Sequence, residues 1–230
     1  MSALGGQRLR GKIVSMYRRA LLALPFALPG LARAQPLAPV AADAPAAAPL
    51  LARRRAGGMV LFFRHADTIG EPCDRSFRIG DRAGQRNISE RGRAQAARIG
   101  ERIAELRIPV RFPVLAGPVF RARDTAELAF GAERVTVTDS LLADDYAGAR
   151  LDWVLDEHRL LFAAPVSPGA NRVLVGHRTP AIMISGGAVS DRIFPEGSAL
   201  VIEPRGAAGF AILGVLMLAP IAGGGFHGCG

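Results

Sequence analysis

Three apolar runs in this chain each lead into an arginine or a histidine. The first is MVLFF, which continues directly into RH, and the second is FPVLAG, which continues into PVFR. The third is RVLVG, which is followed at once by a histidine. A buried strand explains the apolar letters of each run, but it does not explain cations and imidazoles at three run ends. The residues concerned are Arg64, His65, Arg121 and His177.

These residue types at strand ends point to an anion. In open α/β sheets, ligands bind at the carboxyl ends of the strands, where the following helices begin. Helix N-termini present free N–H groups and a partial positive charge, which favours anions. Forked guanidinium donors suit phosphate in particular. The pattern therefore predicts a cationic phosphate-binding pocket at one edge of a sheet.

The elements that would position this pocket follow from hydrophobic periodicity. Strands alternate with amphipathic helices, which predicts an α/β fold with a largely parallel central sheet and helices on both faces. The predicted strands are 59–64, 112–117, 134–138, 172–176, 198–204 and 209–218. The predicted helices run from Ser89 to about Leu106, from Pro118 to about Phe130, over a face marked by Leu151, Val154 and Phe162, and from Thr179 to about Gly186. The apolar run 207–221 is predicted as a strand rather than a membrane tail, because its continuous apolar part is shorter than about 20 residues.

Read together, the blocks LFFRHADT, GPVFRARDTA and VGHRTPAI, with NISERGRAQA before the first long helix, resemble the signature segments of the histidine phosphatase (phosphoglycerate mutase-like) superfamily. The resemblance covers about residues 59–217 and implies a metal-independent phosphatase without a cofactor. It departs from the family pattern at Gly117, where a serine is usual, and at Arg178, where a small or neutral residue is common.

The resemblance assigns roles within the pocket. His65 would be the nucleophile that becomes a phosphohistidine, and Arg64, Arg121 and His177 would hold the phosphoryl oxygens. Thr68 and Arg178 are further candidates for binding substrate. A carboxylic acid must protonate the leaving group. Asp144 is the first candidate for this acid and Asp145 the second, and both could instead be ordinary turn residues.

The function expected from these residues is hydrolysis of a small phosphorylated substrate. A mutase fits less well, because it must retain a bisphosphorylated intermediate. The alternative from another class is a non-catalytic module that binds phosphate or an anionic glycan on the same fold. The four histidines show no close metal-ligand spacing, so no metal is expected.

The N-terminal residues 1–34 have the layout of an export signal. They hold six basic residues and no acid, then an apolar run and Ala-Arg-Ala, and YRRALLAL resembles a twin-arginine signal. Translation could start at Met1 or at Met16. We expect a periplasmic or secreted protein, not stably inserted in a membrane after removal of the signal. The alternative is an amphipathic or membrane-anchoring helix.

The net charge of the chain does not indicate binding to nucleic acid. Of the 29 basic residues, six lie in residues 1–34. The remaining 23 basic residues and the 20 acidic residues give a net charge of +3.

The sequence predicts three further segments. Residues 35–58 are rich in Ala and Pro and are predicted to be a linker, residues 59–219 to be the phosphatase-like domain, and residues 220–230 to be a Gly-rich tail. The long loop 66–88 is either a substrate-recognising lip or a solvated insertion.

The remaining histidines and cysteines receive weaker expectations. His158 is interpreted as structural, and His227, in the tail, is given no role. Cys73 and Cys229 could pair in an oxidising compartment. The oligomeric state and the identity of the substrate are not readable from the sequence.

Overall fold

The computed structural model describes residues 37–68, 73–190 and 192–227. The predicted export signal, residues 1–34, lies outside the described residues, and so does Cys229. Residues 36–230 form one compact unit.

A seven-stranded sheet forms the centre of this unit, in the order β1-β7-β6-β2-β5-β3-β4. Strand β6 runs antiparallel to both of its neighbours, and every other neighbouring pair is parallel. The predicted largely parallel α/β sheet is therefore confirmed. The strands are β1 (Pro39–Ala41), β2 (Val60–Arg64), β3 (Val110–Ala116), β4 (Val135–Val137), β5 (Asn171–Gly176), β6 (Ser198–Pro204) and β7 (Phe210–Met217).

Helices cover both faces of the sheet, as predicted. They are α1 (Ala48–Ala56), α2 (Glu90–Glu105), α3 (Phe120–Phe130), α4 (Asp144–Ala147), α5 (Leu151–Ala163) and α6 (Arg178–Ser185). Successive side chains of β2 point to opposite faces of the sheet, so this strand contributes to a hydrophobic core on each face. Leu61 and Phe63 pack in the core that includes residues of α1, α2 and α3. Phe62 packs in the other core, with residues of α5 and α6.

Local signals set the helix boundaries well. The Ser89 hydroxyl accepts a hydrogen bond from the Gly92 N–H and so caps α2, as predicted. Helix α3 begins two residues after Pro118, with Val119 at the N-cap position. Helix α6 ends at Ser185 and is followed by Gly186, whose φ of 66° suits glycine.

The prediction of a linker over residues 35–58 is wrong for the described part of that segment. Strand β1 pairs in parallel with β7 at the edge of the sheet, and helix α1 follows. Pro49 lies in the first turn of α1, where a missing N–H costs nothing. Leu51 of this helix is buried in the core. Composition suggested a spacer, but the apolar side chains supply enough contacts to fold the segment onto the domain.

The apolar run near the C-terminus forms strand β7, as predicted. Within the described ranges, no helix has both the length and the apolar character needed to cross a membrane.

Candidate active site

The sheet brings the three strand ends together. Strands β2 and β5 are parallel neighbours, and Arg64 lies in register with Gly176. The backbone N–H of His65 donates to the Gly176 carbonyl at 3.0 Å. His177, which lies between the end of β5 and the start of α6, is therefore next to His65. The predicted meeting of these residues at one sheet edge is confirmed by their placement.

The two histidine rings face one another. Their centroids are 5.5 Å apart, and both residues are buried. Burial lowers the pKa of His65 well below its ordinary value, and the charges of Arg64 and Arg121 act in the same direction. Burial and the charge of Arg121 lower the pKa of His177 in the same way. Both rings are therefore neutral over most of the pH range.

His65 is held as one tautomer. Its Nδ1 atom lies 2.9 Å from the carbonyl oxygen of Ala66. A carbonyl oxygen can only accept, so Nδ1 of the neutral ring must carry the proton and donate. The Nε2 atom then bears the free lone pair. This is the arrangement that a nitrogen nucleophile requires.

Arg64 is fixed on three sides. Nη1 donates to the carbonyl oxygens of Phe194 at 3.0 Å and Gly225 at 3.2 Å. Nη2 donates to the Glu196 carboxylate at 3.1 Å. Burial lowers the pKa of Arg64 to about 10, which still leaves the guanidinium charged at neutral pH. The site thus contains a buried cation whose position is set by its own partners.

Arg121 lies in the first turn of α3, as predicted, and its partner comes from the long loop. Its Nη1 donates to both carboxylate oxygens of Asp74, at 3.1 and 3.0 Å. The Tyr146 hydroxyl donates to the same carboxylate at 2.7 Å. Of the two descriptions left open for loop 66–88, a solvated insertion does not fit this segment, because Asp74 is bound to a residue of the site.

Asp144 and Asp145 differ in their surroundings. Asp144, at the start of α4, is partly buried, whereas Asp145 is exposed. Burial raises the pKa of Asp144, and the neighbouring charge of Asp145 raises it further. The carboxyl also contacts Thr179 on α6 and lies within electrostatic range of Arg121. Of the two predicted acids, the structure therefore favours Asp144.

The two further candidates for substrate binding have different environments. Thr68 is buried, and its hydroxyl donates to Glu196 at 3.0 Å, so this hydrogen is not available to a ligand. Thr68 is therefore bound to Glu196, and its predicted contact with substrate stays a prediction. Arg178 lies in the cationic cluster, since its charge acts on Arg64, and its guanidinium lies 5.8 Å from the ring centroid of Phe226.

Gly117 departs from the family pattern for a steric reason. A Cβ at this position would lie 2.2 Å from the carbonyl oxygen of Leu141. A serine would force the loop that leads to Asp144 away from β3. The glycine therefore lets the second strand end and the loop carrying the candidate acid pack closely.

The C-terminal segment contributes residues that the sequence did not indicate. His227 was given no role, yet its Nε2 lies 3.0 Å from the Asp67 carboxylate. Gly225 accepts hydrogen bonds from Arg64 and from the Glu196 backbone. No local sequence signal marks such contacts, because they join residues far apart in the chain. His158, by contrast, is buried and bonded to the Val154 carbonyl, in line with the structural role predicted for it.

One group of side chains has the spacing of metal ligands. Single donor atoms of Asp67, Glu196 and His227 all lie within 4.8 Å of one another. Glu196 is already neutralised by Arg64 and accepts two further hydrogen bonds from Thr68. A cation would have to displace or repel that guanidinium, so the group fits a hydrogen-bonded network better than a metal site.

Comparisons with known proteins give matches to solved structures and to one family model. Solved structures similar to the chain include the protein histidine phosphatase SixA bound to tungstate, with 12% identity, a TM-score of 0.47 and coverage of 69% of this chain and 96% of that chain. Another is TTHB049 from Thermus thermophilus, with 20% identity, a TM-score of 0.46 and coverage of 70% and 99%. A third is a mycobacterial glucosyl-3-phosphoglycerate phosphatase with inorganic phosphate, with 22% identity, a TM-score of 0.42 and coverage of 64% and 89%.

Identities of 12 to 22% carry no information about substrate. The search of curated proteins found no significant match. The sequence model of the histidine phosphatase superfamily (branch 1), however, matches residues 60–146. This range contains Arg64, His65, Arg121 and Asp144, and the structure adds His177 beside them. Over residues 60–146 the chain is thus identified as a member of the histidine phosphatase superfamily.

Proposed function

We propose that the protein is an exported phosphomonoesterase that works through a phosphohistidine on His65, without a metal ion. The single observation that carries the proposal is the donation of Nδ1–H by His65 to the Ala66 carbonyl. This bond leaves the Nε2 lone pair free beside His177 and the guanidinium groups of Arg64 and Arg121. A neutral imidazole in a fixed position can attack phosphorus, and the neighbouring cations can stabilise the charge of the transferring phosphoryl group.

The first half-reaction forms one bond and breaks another. Nε2 of His65 attacks phosphorus in line, and the bond from phosphorus to the ester oxygen breaks. Asp144, in its protonated form, gives its proton to the departing alkoxide. The products of this step are an alcohol, an Asp144 carboxylate and a phosphohistidine. The raised pKa of Asp144 supports this role, since the acid form persists to higher pH than for an exposed aspartate.

The second half-reaction returns the enzyme to its starting state. Water attacks phosphorus as the Asp144 carboxylate accepts one of its protons. The bond from phosphorus to Nε2 breaks, and inorganic phosphate leaves. Arg64, Arg121 and His177 stabilise the charge on the three phosphoryl oxygens in both steps. Guanidinium groups placed in advance supply the positive charge that other phosphatases obtain from metal ions.

Export is supported by two observations. Residues 1–34 have the order of a signal sequence, and Cys73 is disulfide-bonded. Stable disulfides are typical of oxidising compartments. Fractionation of cells producing the full chain, followed by N-terminal sequencing, tests the proposal. A periplasmic product beginning at or near Gln35 is expected, and a full-length cytoplasmic product would contradict export.

The reaction is tested with para-nitrophenyl phosphate in the presence of EDTA. We expect phosphate release that is insensitive to the chelator and inhibited by orthovanadate, which mimics the five-coordinate phosphoryl group. Activity that disappears with EDTA and returns with a divalent ion would refute the metal-independent mechanism. Binding of phosphate without any turnover would instead favour the non-catalytic binding module.

A further inference from the structure

The two arginines of the site share a feature that the reaction scheme does not use. Each guanidinium is backed by a carboxylate from elsewhere in the chain. Arg64 is paired with Glu196, whose side chain is completely buried. Arg121 is paired with Asp74, whose side chain is 10% exposed. Both pairs are thus largely buried. The stability of a buried ion pair depends strongly on its geometry.

Each carboxylate is itself held by further donors. Glu196 accepts from the Thr68 N–H at 3.1 Å and from the Thr68 hydroxyl at 3.0 Å, in addition to Arg64. Asp74 accepts from the Tyr146 hydroxyl and from the Arg86 N–H, both at 2.7 Å, in addition to Arg121. A carboxylate with several fixed donors cannot rotate freely. It therefore transmits its own position to the guanidinium that it binds.

The arrangement also separates two tasks. Arg121 uses a single nitrogen, Nη1, for both oxygens of Asp74. Among the described residues, its buried Nε has no hydrogen-bond partner, and the same is true of the Nε of Arg64. Buried N–H groups of this kind are rare in folded proteins unless something else is to bind them. The carboxylates thus hold one side of each guanidinium while unpaired N–H groups remain on another.

We propose that Glu196 and Asp74 are positioning residues, which orient Arg64 and Arg121 toward the oxygens of the transferring phosphoryl group. The proposal rests on the proposed function, because it takes these arginines as the phosphoryl-binding groups. It also accounts for the charge of the site. The charges of Arg86, Arg121 and Arg178 repel that of Arg64, and Glu196 supplies a nearby negative charge. Without such counter-charges, the guanidiniums would be driven apart before substrate arrives.

The amide variants test this role sharply. Glu196→Gln keeps the shape of the side chain but offers one accepting oxygen to three donor groups, and its NH₂ must face a donor. Asp74→Asn does the same at Arg121. The matched controls are Glu203→Gln, near the end of strand β6, which starts two residues after Glu196, and Asp156→Asn, at an exposed position of α5. Both control residues form exposed ion pairs, with Arg205 and Arg159.

The measurement is the affinity of each full-length variant for orthovanadate and for inorganic phosphate, by calorimetry, with the melting temperature of each. We expect vanadate affinity to fall about tenfold or more in Glu196→Gln and in Asp74→Asn, the size of one charge-assisted hydrogen bond. Phosphate affinity should fall less, because vanadate resembles the transition state more closely. Neither control should change. This difference between two oxyanions is not expected from a loss of stability alone.

Affinity equal to wild type in both amide variants would overturn the proposal, and so would an equal loss in the controls. If Glu196→Gln does not fold, Asp74→Asn decides the matter by the same criterion. The assay needs no turnover, so it separates the two claims. A wild-type protein that binds vanadate but never releases phosphate from an ester would refute the proposed function while leaving the positioning role to this comparison. A wild-type protein that binds neither oxyanion would refute both.

Discussion

The rings of His65 and His177 lie in a buried pocket with their centroids 5.5 Å apart. The charges of Arg64 and Arg121 act on this pocket. Neither imidazole can easily take up a proton there, because burial and the neighbouring cations both disfavour the charged ring. The pocket therefore keeps His65, the proposed nucleophile, unprotonated at acidic pH, where an exposed histidine would be protonated.

The first prediction is an acidic activity profile. Protonation of His65 stops the reaction only below its folded pKa, which lies well under 6.5. Loss of the proton from Asp144 stops it above a pKa that is raised from 3.8. For an alkyl phosphate, kcat/KM should be highest in weak acid and should fall toward neutral and alkaline pH. A steady-state pH series measures this, and a maximum in alkaline solution would contradict the assignment of both groups.

The second prediction separates nucleophile from acid. His65→Ala should abolish turnover of every ester, because no other group can form the intermediate. Asp144→Asn should slow alkyl phosphates about a hundredfold or more while largely sparing para-nitrophenyl phosphate, whose leaving group needs little protonation. Steady-state kinetics on both ester types provide the measurement. Asp145→Asn is the matched control: it should leave the hydrolysis of para-nitrophenyl phosphate near wild type, and it should shift the fall of the alkyl phosphate rate to lower pH, because the Asp145 charge no longer raises the pKa of Asp144.

If Asp144→Asn slows both ester types equally, Asp144 is not the acid. If neither aspartate variant changes either rate, the proton comes from water or from the substrate itself. Both outcomes would leave the role of His65 intact, since its prediction does not depend on the leaving group.

The third prediction concerns stability rather than catalysis. His158 is completely buried, and burial lowers its pKa to about 4. Between pH 6.5 and about pH 4 the unfolded chain takes up a proton that the folded chain refuses, so stability falls as the pH falls through this window. The loss from this residue should be roughly 3 kcal/mol, at about 1.4 kcal/mol per pKa unit. It is complete below the folded pKa.

Urea unfolding of wild type and His158→Phe at several pH values measures the effect. The variant places an aromatic ring beside Phe62 and Phe162, with which the imidazole is in contact. The comparison uses the change with pH and not the absolute stability, so a packing defect in the variant does not matter. Parallel curves for the two proteins would show that His158 is not protonated on unfolding.

The fourth prediction concerns Cys73, which is disulfide-bonded and immediately precedes Asp74. The bond restrains the loop whose carboxylate holds Arg121. Cys73→Ser, or reduction of the wild type with dithiothreitol, should therefore weaken vanadate binding and lower kcat/KM several-fold. Dithiothreitol should have no further effect on the serine variant, which serves as its control. Equal activity of the oxidised and reduced wild type would show that the loop holds Asp74 without the bond.

Much of the fold was predictable because its signals are local. Residues that are close together in the sequence determine the strand ends, the Ser89 cap and the helical spacing of apolar residues. The parallel arrangement of the sheet then brought the cations of separate segments to one edge. The same logic failed for residues 37–58, where Ala and Pro suggested a spacer although Leu51 had a core to join.

The partners of the site residues were beyond the reach of such signals. Glu196 meets Arg64 across 132 positions, and Asp74 meets Arg121 across 47. Nothing in the residues around either carboxylate distinguishes it from an exposed charge. His227 looked like part of a loose tail for the same reason. Pairings of this kind depend on the final packing of loops, which the sequence does not display locally.

We propose that Nε2 of His65 carries the phosphoryl group, because Nδ1 donates its hydrogen to the Ala66 carbonyl. The most direct measurement is ³¹P NMR of protein quenched in base during turnover and unfolded, combined with mass spectrometry of the peptide that contains His65. We expect a phosphohistidine on His65 substituted at Nε2, and its absence in His65→Ala. Phosphate on Nδ1, on another residue, or on none at all during rapid turnover would contradict it.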